Sequence, residues 1–215
     1  MNEEILTAVR QYQIIAIVRG VESSRCMKVA EALYQGGIRL IEITYNQSAP
    51  ETWENTASAI GEVAEAFRGK MFVGAGTVTT LKLVALTAEA GGRFIISPNT
   101  NVDVIRETKS RGLVSIPGAM TPSEILAAHD AGADFVKLFP ASELGTGYLK
   151  AIRAPISHVG LIATGGISEA NARAFLDAGA VGLGVGGSLA NKKAIENEEY
   201  EKLTQAAEAL IAAIH

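Results

Sequence analysis

The chain has 215 residues, 48% of them hydrophobic and 20% charged, a globular balance with enough apolar residues for a sizeable core. Its net charge of −4 argues against a nucleic-acid protein, which would show a basic face, but not against a local phosphate site held by backbone amides. The lone cysteine, Cys26, excludes an intramolecular disulfide, and no apolar run is long enough to span a bilayer.

The start, Met1-Asn2-Glu3-Glu4-Ile5-Leu6, is acidic and lacks the basic-then-apolar order of a signal peptide, so a cytoplasmic protein is expected. A first helix is predicted over residues 2–12. Short apolar runs then recur at 14–18, 40–44, 71–75, 94–97, 114–117, 135–139, 160–164 and 181–185. Most are continuously apolar, the signature of parallel strands covered on both faces. Their spacing leaves room for a crossover helix each time.

The intervening segments carry helix signals. Asn101 precedes Val102-Asp103-Val104 as an N-cap, Thr121-Pro122-Ser123-Glu124 reads as a capping box with proline at the first helical position, and Ser168-Glu169-Ala170-Asn171 is predicted to begin another helix. Gly36-Gly37, Gly91-Gly92, Gly112, Gly132 and Gly179 stop helical patterns just before the next strand, where a left-handed residue is favoured. A last helix is predicted over 198–214. Eight strand-helix units form a (β/α)8 TIM barrel, here one domain over 1–215 with an extra N-terminal helix. A doubly wound sheet is the alternative, weakened because the first strand runs into Arg19-Gly20 and not into a Gly-x-Gly-x-x-Gly turn.

A barrel carries its active site at the C-terminal strand ends. Those ends bear Arg19, Glu42, Thr44, Thr77, Pro98, Lys137, Phe139, Thr164-Gly165-Gly166 and Gly186-Gly187-Ser188. Lys137 is the sharpest of them, because it interrupts Phe135-Val136-Lys137-Leu138-Phe139, where an ammonium must lose water. It is either the structural partner of Glu42 or an amine with a lowered pKa, and so a nucleophile for carbonyl carbon. Glu42 interrupts the second strand in the same way, as a counter-ion, a proton shuttle for imine chemistry, or both. The two glycine turns after the last two strands suit a phosphate, with Arg19 adding a cation. They read otherwise as ordinary tight turns. His129, His158 and His215 have no partner at metal-ligand spacing, so no metal is expected, and Trp53 reads as helix packing.

Taken together, Ile41-Glu42-Ile43-Thr44, Gly74-Ala75-Gly76-Thr77-Val78, Ile96-Ser97-Pro98, Ile116-Pro117-Gly118, Phe135-Val136-Lys137-Leu138-Phe139-Pro140-Ala141 and Thr164-Gly165-Gly166-Ile167 resemble the 2-keto-3-deoxy-6-phosphogluconate aldolase family, which includes the 4-hydroxy-2-oxoglutarate aldolases. The resemblance implies a class I aldolase that needs no metal or cofactor and assembles as a homotrimer. It implies that Lys137 forms a Schiff base with a phosphorylated 2-keto acid and that Glu42 moves protons. Thr77 would hold the carboxylate, and Pro98 and Phe139 would line the pyruvyl pocket. The phosphate would lie on Thr164, Gly165, Gly166, Gly187, Ser188 and Arg19. The products would be pyruvate and glyceraldehyde 3-phosphate.

The family's second strand often reads Glu-x-Thr-x-Arg-Thr, with the arginine on the substrate carboxylate. Here Asn46 stands in that place and supplies no charge. The gluconate and galactonate epimers both stay open as substrates. So do a phosphate-barrel isomerase or phosphate-ester synthase that uses Lys137 only as a charge, and a non-catalytic phosphosugar-binding barrel.

Overall fold

The computed structural model describes residues 2–215; Met1, the first residue of the acidic start, lies outside them. The elements alternate in chain order. They begin α1 (Asn2–Tyr12), β1 (Ile14–Val18), α2 (Ser23–Gln35), β2 (Leu40–Thr44), α3 (Trp53–Ala66), β3 (Phe72–Gly76), α4 (Leu81–Glu89), β4 (Phe94–Ile96), α5 (Val102–Ser110) and β5 (Val114–Ile116). They continue β6 (Gly118–Ala119), α6 (Pro122–Asp130), β7 (Val136–Leu138), α7 (Ala141–Arg153), β8 (Leu161–Thr164), α8 (Ala172–Asp177), β9 (Gly182–Val185), α9 (Lys192–Glu196) and α10 (Tyr200–Ile214).

All strand pairs are parallel, in the order β5-β4-β3-β2-β1-β9-β8-β7-β6. The two ends of that order are separated in the chain only by Pro117. Where the sequence predicts one fifth strand, the structure has two short ones, because proline has no N–H to give the ladder. Its carbonyl still accepts from Lys137 N at 2.8 Å, and Ser115 O and Ala119 O accept from Asp134 N at 3.0 Å and Phe139 N at 3.1 Å. Residues 114–119 thus join β4 on one side to β7 on the other, and the sheet closes into a TIM-like barrel, not a doubly wound sheet.

Two apolar clusters follow from strand alternation. One lies between the strands and the surrounding helices. The other fills the barrel with Ile15, Leu40, Phe94, Ile96, Val114, Ile116, Phe135 and Ile162, and Ile5, Ala8 and Val9 of α1 plug its N-terminal end. Gly74 makes room for Phe94, since a Cβ there would lie 2.4 Å from the ring. Emptying that space by Phe94→Ala would cost about 3–5 kcal/mol.

Several local signals hold. Thr121 and Glu124 form the capping box, Asn101 Oδ1 accepts from Asp103 N and Val104 N, and Gly37, Gly91, Gly112, Gly132 and Gly179 all have positive φ. Others shift. β3 starts one residue later than predicted, and the last helix starts at Tyr200 after the separate α9. The helix predicted from Ser168 begins only at Ala172. Asn171 uses its amide on the preceding loop, accepting from Ser168 N and donating to Gly166 O, both at 2.9 Å. Among the described residues no helix is long and apolar enough to cross a membrane.

Candidate active site

The alternation that points Leu40 and Phe135 into the barrel does the same for Glu42 and Lys137, two residues further along each strand. Glu42 is 0% exposed and Lys137 4%. No ion pair within 4.0 Å joins them, and both Glu42 oxygens are buried without a hydrogen-bond partner. A purely structural salt bridge would close that contact, because an uncompensated buried charge costs several kcal/mol. Burial holds the Glu42 carboxyl above its ordinary range, against the pull of the Lys137 and Arg19 charges. Burial also holds the Lys137 amine below its ordinary range, opposed by Glu42 and reinforced by Arg19. Burial thus pushes each group toward its neutral form, and the opposite charge of the other pulls it back.

Gly76 explains how the carboxylate fits. A Cβ there would lie 2.6 Å from Glu42 Oε2 and 2.7 Å from Thr44 Cγ2. The next residue, Thr77, has φ 58°, and its Oγ1 is a further buried oxygen without a partner. Its carbonyl accepts from Gln47 Nε2 at 2.7 Å. Asn46 lies exposed beyond β2, with Oδ1 accepting from Ser48 N at 3.0 Å and its carbonyl accepting from Trp53 Nε1 at 2.8 Å. Trp53 therefore pins this loop as well as packing on the core. Arg19, Thr44, Asn46 and Thr77 share a cavity of about 950 Å³. Arg19 lines that cavity just past β1, the strand that pairs with β9 and so lies next to its glycine loop.

Pro98 is half-buried, and its carbonyl carbon and oxygen sit where a side chain at Gly118 would lie. Phe139 stands 40% exposed at the barrel mouth, its ring centroid 4.9 Å from Lys137 Nζ. On β8 and β9, Thr164 is buried against Gly184, where a Cβ would meet Thr164 Oγ1 at 2.4 Å. Gly165 and Gly166 have φ 96° and 70°, and a Cβ on Gly166 would lie 1.9 Å from Ser142 Oγ. Ser188 Oγ donates to Ile167 O at 3.0 Å, tying the two loops together. Within the described residues, the N–H groups of Gly166, Gly187 and Ser188 have no protein acceptor, so an anion has donors ready.

The strand ends thus bring Lys137, Glu42, Thr77, Pro98 and Phe139 to one mouth, with the glycine loops beside it. Gln47, Ser142 and Asn171 are the residues sequence reasoning missed. No group of three His, Cys, Asp or Glu side chains that could hold a metal occurs among the described residues. Cys26 is buried and plays no part at the mouth; burial, then the Glu62 charge, pushes its thiol up to about 11.

Residues 5–206 match the family described as KDPG and KHG aldolase. The chain belongs to that family. It is an aldolase, a carbon–carbon lyase. It is 40% identical over 180 residues to a probable 2-dehydro-3-deoxy-6-phosphogalactonate aldolase of Rhizobium meliloti, covering 82% of this chain and 81% of the relative. It is 35% identical over 207 residues to the KHG/KDPG aldolase of Escherichia coli, covering 95% and 92%. A KDPG aldolase from Legionella pneumophila, solved with pyruvate captured as a covalent carbinolamine, matches with a TM-score of 0.85 at 27% identity over 95% of this chain and 97% of that one. In this aldolase the position of the family's strand-two arginine is Asn46, whose side chain is already half engaged by its own turn.

Proposed function

We propose that this aldolase cleaves a 6-phosphorylated 2-keto-3-deoxy sugar acid to pyruvate and glyceraldehyde 3-phosphate through a Schiff base on Lys137. The observation that carries this is a buried amine and a buried carboxylate whose oxygens have no hydrogen-bond partner, both pushed by burial toward their neutral forms. The neutral amine adds to the C2 carbonyl, and the carbinolamine loses water with Glu42 moving the protons. The resulting iminium accepts the electron pair of the C3–C4 bond as the C4 hydroxyl gives its proton to the Glu42 carboxylate and the aldehyde leaves. Glu42 then protonates C3 of the enamine, and water releases pyruvate and restores the amine.

Thr77 Oγ1 receives the carboxylate, with Pro98 and Phe139 lining the pyruvyl pocket. Thr164, Gly165, Gly166, Gly187 and Ser188 receive the phosphate, and Arg19 supplies positive charge between the two ends. The same machinery would split 4-hydroxy-2-oxoglutarate into pyruvate and glyoxylate. The galactonate epimer is favoured over the gluconate one by Asn46 and by the 40% identity to the Rhizobium meliloti protein. Comparing kcat/KM on the three substrates tests that preference.

Borohydride reduction in the presence of pyruvate tests the chemistry. The expected result is a reduced pyruvyl adduct located by mass spectrometry on Lys137 and lost in Lys137→Ala. A Lys137→Ala enzyme with full activity and no adduct would rule out the Schiff-base mechanism. We infer further a cytoplasmic homotrimer, supported by the family resemblance and by the exposed apolar side chains of Met120 and Leu126. Light scattering on the eluted protein measures the assembly directly.

A further inference from the structure

Thr77 combines two costs. It is a β-branched residue at φ 58°, a conformation such residues seldom adopt, and its Oγ1 is buried with no partner. Strain of this kind persists only where the surroundings hold it, and the holding contact is visible. Gln47 Nε2 donates to Thr77 O at 2.7 Å, and Gln47 Oε1 accepts from Thr79 Oγ1 at 2.9 Å. One amide therefore uses its donor and its acceptor on two residues of the β3 loop, which fixes which way the amide faces. The backbone that carries it is itself tied down. Tyr45 N donates to Gly76 O at 3.0 Å, Asn46 Oδ1 closes a turn on Ser48 N, and Trp53 Nε1 holds Asn46 O.

We propose that Gln47 is a positioning residue: it holds Thr77 in the left-handed backbone that aims Oγ1 at the carboxylate of the keto acid. The proposal rests on the reading of Thr77 as the carboxylate contact. In this chain the second strand thus acts on the carboxylate indirectly, by setting the geometry of the third.

Gln47→Met keeps the length of the side chain and removes both hydrogen bonds. Because Gln47 is exposed, the variant is expected to fold, and its melting temperature checks that. The test titrates pyruvate, and separately hydroxyacetone, which has a ketone and no carboxylate, by calorimetry and by borohydride trapping. For Gln47→Met the half-saturating pyruvate concentration is expected to rise about tenfold while the maximal adduct yield and the response to hydroxyacetone stay as in the parent. Thr79→Val, which loses only the orienting contact, should give a smaller shift. Thr77→Val should give at least the Gln47→Met shift, and the double variant should match Thr77→Val alone, since the two residues act as one unit. An unchanged pyruvate titration in Gln47→Met, an equal loss for hydroxyacetone, or effects that multiply in the double variant would each overturn the proposal. Pyruvate binding without adduct in the parent would count against Lys137 and leave Gln47 to be judged by calorimetry. No pyruvate binding at all would remove both.

Discussion

Gly76 and Glu42 share one space: the carboxylate of Glu42 occupies the place where a side chain on Gly76 would begin, 2.6 Å from Oε2. Gly76→Ala must therefore move the carboxylate or the strand. Proton exchange at the methyl group of bound pyruvate, followed by NMR in deuterated water, should fall about 10²-fold or more, the scale of one misplaced general base. The final yield of pyruvate trapped on Lys137 should be affected far less, because the amine is on another strand and Glu42 sets how fast the imine forms, not whether the amine is there to form it. Equal losses in both would mean that the strand, and not the carboxylate, had shifted.

The buried pair also sets a pH signature. Glu42 binds its proton more tightly in the folded state than in the unfolded chain. Its contribution to stability is therefore full below about pH 4 and is lost as pH rises through the raised value. Lys137 is the reverse: its contribution is full above about pH 10 and is lost as pH falls through the lowered value. At pH 7 the native protein carries both costs or an imperfect pairing of the two charges. Glu42→Gln/Lys137→Met is thus expected to be inactive and more stable by about 1–4 kcal/mol at pH 7. Glu42→Gln alone should gain more at pH 7 than at pH 4 in thermal melts. A lower melting temperature for the double variant would show that the pair stabilises the fold.

Gly166→Ala places a Cβ 1.9 Å from Ser142 Oγ at a φ of 70°. The loop has to rearrange, and the N–H donors of the glycine turn move with it. KM for either phosphorylated sugar acid should rise by about tenfold or more, as expected from losing a charge-assisted hydrogen bond. KM for 4-hydroxy-2-oxoglutarate, which has no phosphate, should change little. A parallel rise for both kinds of substrate would take the phosphate away from this loop.

Asn46→Arg returns a cation to the cavity wall beside Thr44 and Thr77. The ratio of kcat/KM for the gluconate epimer over the galactonate epimer is expected to rise about tenfold, equivalent to about 1.4 kcal/mol. An unmoved ratio would free Asn46 of any part in epimer choice.

The barrel was legible because its signals are local. Continuous apolar runs mark strands covered on both sides, and glycines such as Gly112 and Gly132 mark where helices turn back. Lys137 and Glu42 were legible because a charge inside such a run breaks a one-dimensional pattern. Gln47 and Ser142 were not, since a polar residue in a loop is ordinary and its meaning lies in a partner far along the chain. Pro117 read as the end of a strand, although the chain continues pairing beyond it with a new neighbour. Asn171 and Ser168 have the composition of a helix start, and only the direction of the Asn171 amide shows that it serves the loop behind it.

On the proposed mechanism, bond-making and substrate choice rest on different kinds of ground in this molecule. Lys137 and Glu42 sit within strands whose neighbours lock them on both sides, while Asn46 and Gln47 lie just past the end of β2, exposed and free of the core. Substitutions at exposed positions of that kind usually alter stability by no more than about 0.5 kcal/mol. On the proposed mechanism a lineage can therefore try new sugars at Asn46 at almost no risk to the fold, and without touching the Lys137–Glu42 pair.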